Sequence, residues 1–133
     1  MLAKGAISWH SRMQEVTASG TSEAEYVVLS EVVEEVIFLR QVQEFMGPPM
    51  RVGAVNLFED NEGAIKLATN KHAINSRRTK HIDVNHHLVR DASDARKVKV
   101  AYVRSKDQHA DLLTKPLDMQ KFYKHAKFIL NVV

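Results

Sequence analysis

Cysteine is absent from the 133 residues, which excludes disulfide staples and thiolate metal sites. Missing too is any run near the roughly 20 apolar residues that a bilayer-spanning helix requires. The start, MLAKGAISWH, lacks the long apolar core of a signal peptide. No membrane partner is expected, and an intracellular setting, cytoplasmic or nuclear, is the default. Low-complexity tracts, internal repeats and a dividing linker are lacking as well, so residues 1–133 read as a single domain. A composition of 44% hydrophobic and 26% charged residues is that of a globular chain, and at this length folding buries most of the apolar surface. The formal charge is only +3, but basic residues gather between Lys71 and Lys80 and between Arg96 and Lys106, which bears on polyanionic partners.

The patterning alternates between the two regular periods. GAISWHS (5–11) is short, partly alternating and β-branched or aromatic at Ile7 and Trp9, and reads as a strand. Ser22 followed by Glu25 has the form of a helix capping box. From Glu23 to about Met46, Tyr26, Leu29, Val33, Val36 and Ile37 recur at helical spacing, and Gly47, Pro48 and Pro49 end the helix. VGAVNLF (52–58) reads as a buried strand that runs into the acidic-polar corner Glu59, Asp60, Asn61 and Glu62. A short helix over Ala64 to Thr69, a basic loop from Asn70 to Lys80 and a helix from about Ile82 to Ala95 follow. VKVAYV (98–103) alternates as a strand, Arg104 to Gln108 is a polar connector, Ala110 to Thr114 is a short helix, and Phe122, Ala126, Ile129 and Leu130 mark a last amphipathic helix. This order predicts an α/β layered domain.

Three acids fall at element ends: Glu23 opens the long helix, Asp60 closes the middle strand, and Asp111 opens a helix after the last strand. Acids at helix starts commonly just complement the positive end of the helix dipole or cap it. Chemically, however, hard divalent cations take oxygen ligands, and phosphodiester cleavage often employs two metals about 3.5–4 Å apart. Convergence of the three acids is therefore the question that sequence spacing leaves open.

ISWHSRMQ, TSEAEY, FEDNEGAIKLA, RRTKHIDVNHHLVRD, YVRSKDQHADLLTKPL and KFYKHAKFIL resemble, in order and with compatible gaps, the ribonuclease H domain that closes the Pol polyprotein of copia-like retrotransposons. The likeness covers essentially the whole chain. It implies a ribonuclease H-like mixed sheet with flanking helices, and magnesium-dependent (or manganese-dependent) hydrolysis of the RNA strand of RNA–DNA hybrids. Carried over by motif, Glu23, Asp60 and Asp111 are the implied metal ligands and catalytic carboxylates.

The likeness begins at the family's third strand. The first strand, with its central catalytic aspartate, has no counterpart here, so the domain is expected to be N-terminally truncated and its activity uncertain. Loss of that strand would leave an unpaired sheet edge, relieved by direct re-pairing of the early strand with Val52 to Phe58, by a second copy in a homodimer through sheet edges, or by another segment. The alternative function is a catalytically inactive, domesticated module that binds nucleic acid or a protein.

Lys71, Arg77, Arg78, Lys80 and His81 are candidate contacts to a nucleic-acid backbone, since hybrids are recognised mainly through shape, phosphates and 2′-hydroxyls. Aromatics are scarce around that loop, against a specialised single-strand binder. His81, Asp83, His86 and His87 suggest a transition-metal site, but only Asp83 with His86 or His87 has helical ligand spacing. His109, near Asp111, takes the place of a product-release histidine or is an ordinary surface residue.

Overall fold

The computed structural model describes residues 5–11, 20–47, 53–70 and 83–132. Its longest element is α1 (Thr21–Met46). Tyr26, Leu29, Ser30 and Val33 recur at the i, i+3, i+4, i+7 positions of one helical face, and all four are buried. Ser30, polar at a core position, is satisfied by donating to the Val27 carbonyl at 2.7 Å. Strand β1 (Val55–Glu59) leads through α2 (Glu62–Thr69) and α3 (Asp83–Asp94) to β2 (Val98–Tyr102). The strands pair in parallel, Val55 against Val98 through Glu59 against Tyr102, as a connection containing two helices allows. The fold is thus α/β, with two parallel strands among the described residues.

One face of this sheet meets the helices. Leu57 and Val98 join Tyr26, Leu29, Val33, Ala64, Ala68, Val89 and Ala92 in a single buried cluster, with Val36, Ile37 and Val100 packed against it. Each fully buried Val or Leu contributes about 1.5–3 kcal/mol, so this cluster dominates the unit. On the other face Phe58 stays 59% exposed. Arg40, on α1, ties the entrances of both strands together: its guanidinium donates to the Gly53 and Lys97 carbonyls, each at 3.1 Å.

The turn between α3 and β2 carries a non-glycine residue in the left-handed region. Arg96 has φ 55°, its N–H bonds to the Ser93 carbonyl at 3.0 Å, and Lys97 N–H bonds to the Ala92 carbonyl at 2.8 Å. That pair of bonds is a Schellman cap with arginine where glycine is usual. Arg96→Gly is therefore expected to stabilise the chain by about 0.5–1 kcal/mol, visible as a higher urea midpoint at unchanged slope. A lower midpoint would contradict the strain assignment.

The chain divides into two compact units, residues 16–102 with the elements above, and residues 1–15 with 103–133. In the second, a 3-10 turn (Ser105–Asp107), α4 (Asp111–Thr114) and α5 (Met119–Leu130) follow one another. Asp118 caps α5 by accepting from Lys121 N–H at 2.9 Å. The strand expected over residues 5–11 is not formed: Gly5 makes an isolated bridge, Ala6 N–H donates to the Ile129 carbonyl at the end of α5 at 3.1 Å, and Ser11 Oγ donates to the Leu113 carbonyl at 2.9 Å. A β-like pattern becomes a strand only where another strand accepts its backbone, and here the Ala6 N–H goes to a helix end instead. Among the described residues no helix is long and apolar enough to cross a membrane.

Candidate functional site

The corner after β1 is organised by one side chain. Asn61 is the N-cap of α2, and its Oδ1 accepts from Gly63 N–H at 2.8 Å and Ala64 N–H at 3.1 Å. The same oxygen accepts from Ser22 Oγ at 3.1 Å, so Asn61 clasps the start of α1 to the start of α2. The expected Ser22–Glu25 capping box is replaced by this contact: α1 begins at Thr21 after Gly20, with no side-chain cap. A β-carbon on Gly63 would lie 2.8 Å from Ser22 Cβ and 3.0 Å from Asn61 Oδ1, so the close approach of the two helices requires glycine there.

The clasp sets two of the expected acids on adjoining backbone. Glu23 directly follows Ser22 in α1, Asp60 directly precedes Asn61, and both are partly buried. Next to Asp60, at the end of β1, is a carboxylate that the strand pattern left unassigned. Glu59 faces inward with Leu57 and is only 7% exposed, accepting from Asn61 N–H at 2.8 Å. Burial pushes its pKa above the usual carboxylate range; the Asn61 hydrogen bond opposes this and the charges of Glu25 and Asp60 add to it. The signal in the sequence was an acid at an inward strand position, Glu59 sharing parity with Val55 and Leu57.

Asp111 lies in the other unit, at the first position of α4. Its carboxylate pairs with Lys115 one turn on, at 2.9 Å, and its side chain is 15% exposed. Nearby, His109 stacks on Phe128 with ring centroids 3.6 Å apart and planes 6° from parallel. His109 Nδ1 lies 3.0 Å from Nδ1 of the buried His125. Burial, then the adjacent His125, lower the pKa of His109.

Among the described residues no group of three or more His, Asp or Glu side chains is placed to hold a metal ion. The basic residues Lys71, Arg77, Arg78, Lys80 and His81 lie outside the described residues, as do the side chains of Asp83 and His86. His87 is exposed on α3.

The chain is 36% identical over 118 residues to the retrovirus-related Pol polyprotein from transposon TNT 1-94 of Nicotiana tabacum. It is 31% and 30% identical, each over 123 residues, to those from transposons RE1 and RE2 of Arabidopsis thaliana. Its homologues are transposon Pol polyproteins. The alignments take in 89–92% of this chain but only 8–9% of each relative, so the chain spans under a tenth of their length. No family model matches, and no solved structure matches.

As a relative of Pol polyproteins, the chain has the α/β order its motifs implied, with TSEAEY at the start of α1 and EDN at the end of β1. Asn61, in the middle of that second motif, is the residue whose role the sequence did not disclose. Its three acceptor contacts include one to a residue 39 positions away, a separation at which no local pattern operates.

Proposed function

We propose that this Pol-related chain contributes to a ribonuclease H-like domain and serves hydrolysis of the RNA strand of RNA–DNA hybrids, with Glu23, Asp60 and Asp111 as its contributed carboxylates. The observation that carries the reading is the Ser22–Asn61 contact, 3.1 Å long, which holds the start of α1 beside the end of β1 and so sets Glu23 and Asp60 on adjacent backbone. Magnesium or manganese at these carboxylates would complete its oxygen shell from water, substrate phosphates or a further segment of Pol.

A labelled RNA–DNA hybrid incubated with magnesium tests this reading. The chain alone is expected to give no turnover above an Asp60→Asn control, and addition of the upstream Pol segment is expected to produce cleavage that Asp60→Asn abolishes. Turnover by the chain alone that depends on Asp60 would show the site to be complete without that segment. Absence of Asp60-dependent cleavage with the segment present would end the nuclease reading.

The second reading is a non-catalytic binding module that self-associates through its sheet. Phe58, 59% exposed beside Asn56 on the sheet face away from the core cluster, favours it. It predicts a homodimer by sedimentation that Phe58→Lys disperses.

A further inference from the structure

Positive charge is unevenly spread along this chain. After β2, Arg104, Lys106, Lys115, Lys121, Lys124 and Lys127 face only Asp107, Asp111 and Asp118 among the carboxylates. Helix α5 itself carries three lysines and no acid. At the turn before α4 this excess takes on a fixed shape. The 3-10 turn closes through Asp107 N–H bonding to the Arg104 carbonyl at 2.7 Å. Lys124 reaches it from α5, donating to Asp107 Oδ1 at 2.6 Å and to the Lys106 carbonyl at 3.1 Å.

Lys124 is thereby committed to a bracket, and Asp107 with it. Their hydrogen bond, together with the charges of Lys124, Lys106 and Arg104, holds the Asp107 carboxyl below the usual range. One carboxylate thus sits among three cations. Arg104 and Lys106 remain exposed on a turn that Lys124 holds at Lys106 and Asp107. Along α5, Lys121 and Lys127 extend the same sign by about 9 Å at 1.5 Å per residue, and both are exposed. Lys121 pairs with Asp118 at 2.9 Å on an open surface, both side chains more than half exposed, a pair that a stronger anion displaces at little cost.

We propose that the Arg104–Lys106 turn, bracketed by Lys124, and the lysines of α5 form a phosphate-contacting surface for duplex nucleic acid, distinct from the basic segment Lys71 to His81. The inference rests on the reading of the chain as part of a hybrid-handling domain and adds a second place at which the duplex is held. A duplex offers one charge per about 1.7 Å of axis, so a rigid cluster of cations contacts several phosphates at once. Binding releases condensed counterions, which makes the surface measurable through salt.

Fluorescence anisotropy of a short labelled RNA–DNA hybrid, titrated with the chain between about 50 and 200 mM salt, tests the surface. Arg104→Ala and Lys106→Ala are each expected to lower the slope of log affinity against log salt by about 1, and the double variant by about 2. Across that range wild type then loses roughly 10- to 15-fold more affinity than the double variant. Lys71→Ala and Arg77→Ala are the comparison, with their slope losses adding to those of the turn. Urea melts of the turn variants, expected to match wild type, separate lost contacts from lost folding. Unchanged slopes in Arg104→Ala and Lys106→Ala with a wild type that binds would overturn this surface and leave the hybrid reading standing. A wild type that ignores hybrid at 50 mM salt would remove both, as would binding to anionic lipid vesicles without binding to hybrid.

Discussion

Gly63→Ala is expected to destabilise the chain by about 2 kcal/mol even though alanine is the better helix former. Removing glycine from a helix is ordinarily worth up to about 1 kcal/mol, and less in the first turn. Against this, the new methyl would meet Ser22 Cβ at 2.8 Å, roughly 1 Å inside a comfortable carbon–carbon separation. Both atoms sit directly on backbone, so relief requires the starts of α1 and α2 to part. Overpacking of that kind costs about 1–3 kcal/mol, and the Ser22–Asn61 hydrogen bond is lost with it, worth about 1 kcal/mol. Denaturant melts of Gly63→Ala, Ser22→Gly and the double variant measure the coupling. The double variant is expected to recover most of the loss, because deleting the serine side chain makes room for the methyl. Additive losses in the double variant would show that the contact between the two helix starts is not what constrains position 63.

A loss of about 2–3 kcal/mol of stability between pH 10 and pH 12 is expected from Tyr26, and should be missing in Tyr26→Phe. The Tyr26 phenol is fully buried, and burial pushes its pKa from 10.0 up to about 12, with the nearby Arg90 charge opposing the shift. Below pH 10 the phenol is neutral in both folded and unfolded chains, so its contribution is fully present. Between 10 and 12 the unfolded chain releases the proton while the folded chain retains it, and stability falls by about 1.4 kcal/mol per pH unit. Such a loss is a large share of the 5–15 kcal/mol by which domains are stable. Urea melts at pH 8, 10 and 11.5 on wild type and Tyr26→Phe make the comparison. Parallel pH profiles for the two proteins would show that Tyr26 ionises as readily folded as unfolded.

Much of the architecture was legible before any coordinates. The apolar stripe Tyr26, Leu29, Val33 announced α1, because a period of 3.6 concentrates burial on one face. The alternating segment at 98–103 and the apolar run ending at Phe58 announced the two strands, while their parallel pairing was decided by the fold. Where local pattern misled, a distant partner was responsible. GAISWHS has strand character, yet Ala6 is bonded to Ile129 at the end of a helix. Ser22 has the spacing of a capping box, yet its hydroxyl goes to Asn61. Arg40 lies within a helix, yet its guanidinium holds two carbonyls from the entrances to β1 and β2.

The candidate acids divide in the same way. Glu23, Asp60 and Asp111 were identifiable as acids at element ends, and the motifs around them pointed to Pol polyproteins, a relationship that the alignments bear out. Glu59 was not, because reading Val52 to Phe58 as one buried run assigns no parity to the next residue. Only the folded strand, with Val55 and Leu57 turned to the core and Asn56 and Phe58 turned away, shows that the Glu59 carboxyl points inward.

By itself, then, the sequence determined the order of the helices and of β1 and β2, the apolar stripe that α1 turns to the core, and kinship with transposon Pol polyproteins. All of these depend on residue type and short-range period, which survive without knowledge of the chain's path. The tertiary structure alone decided that Asn61 joins two helix starts, that Glu59 loses its water, and that Lys124 closes on the turn at Asp107. Each of these joins groups brought together by chain folding, or depends on desolvation by neighbours remote in sequence, and neither a hydrogen bond nor a desolvation cost exists until those groups have met.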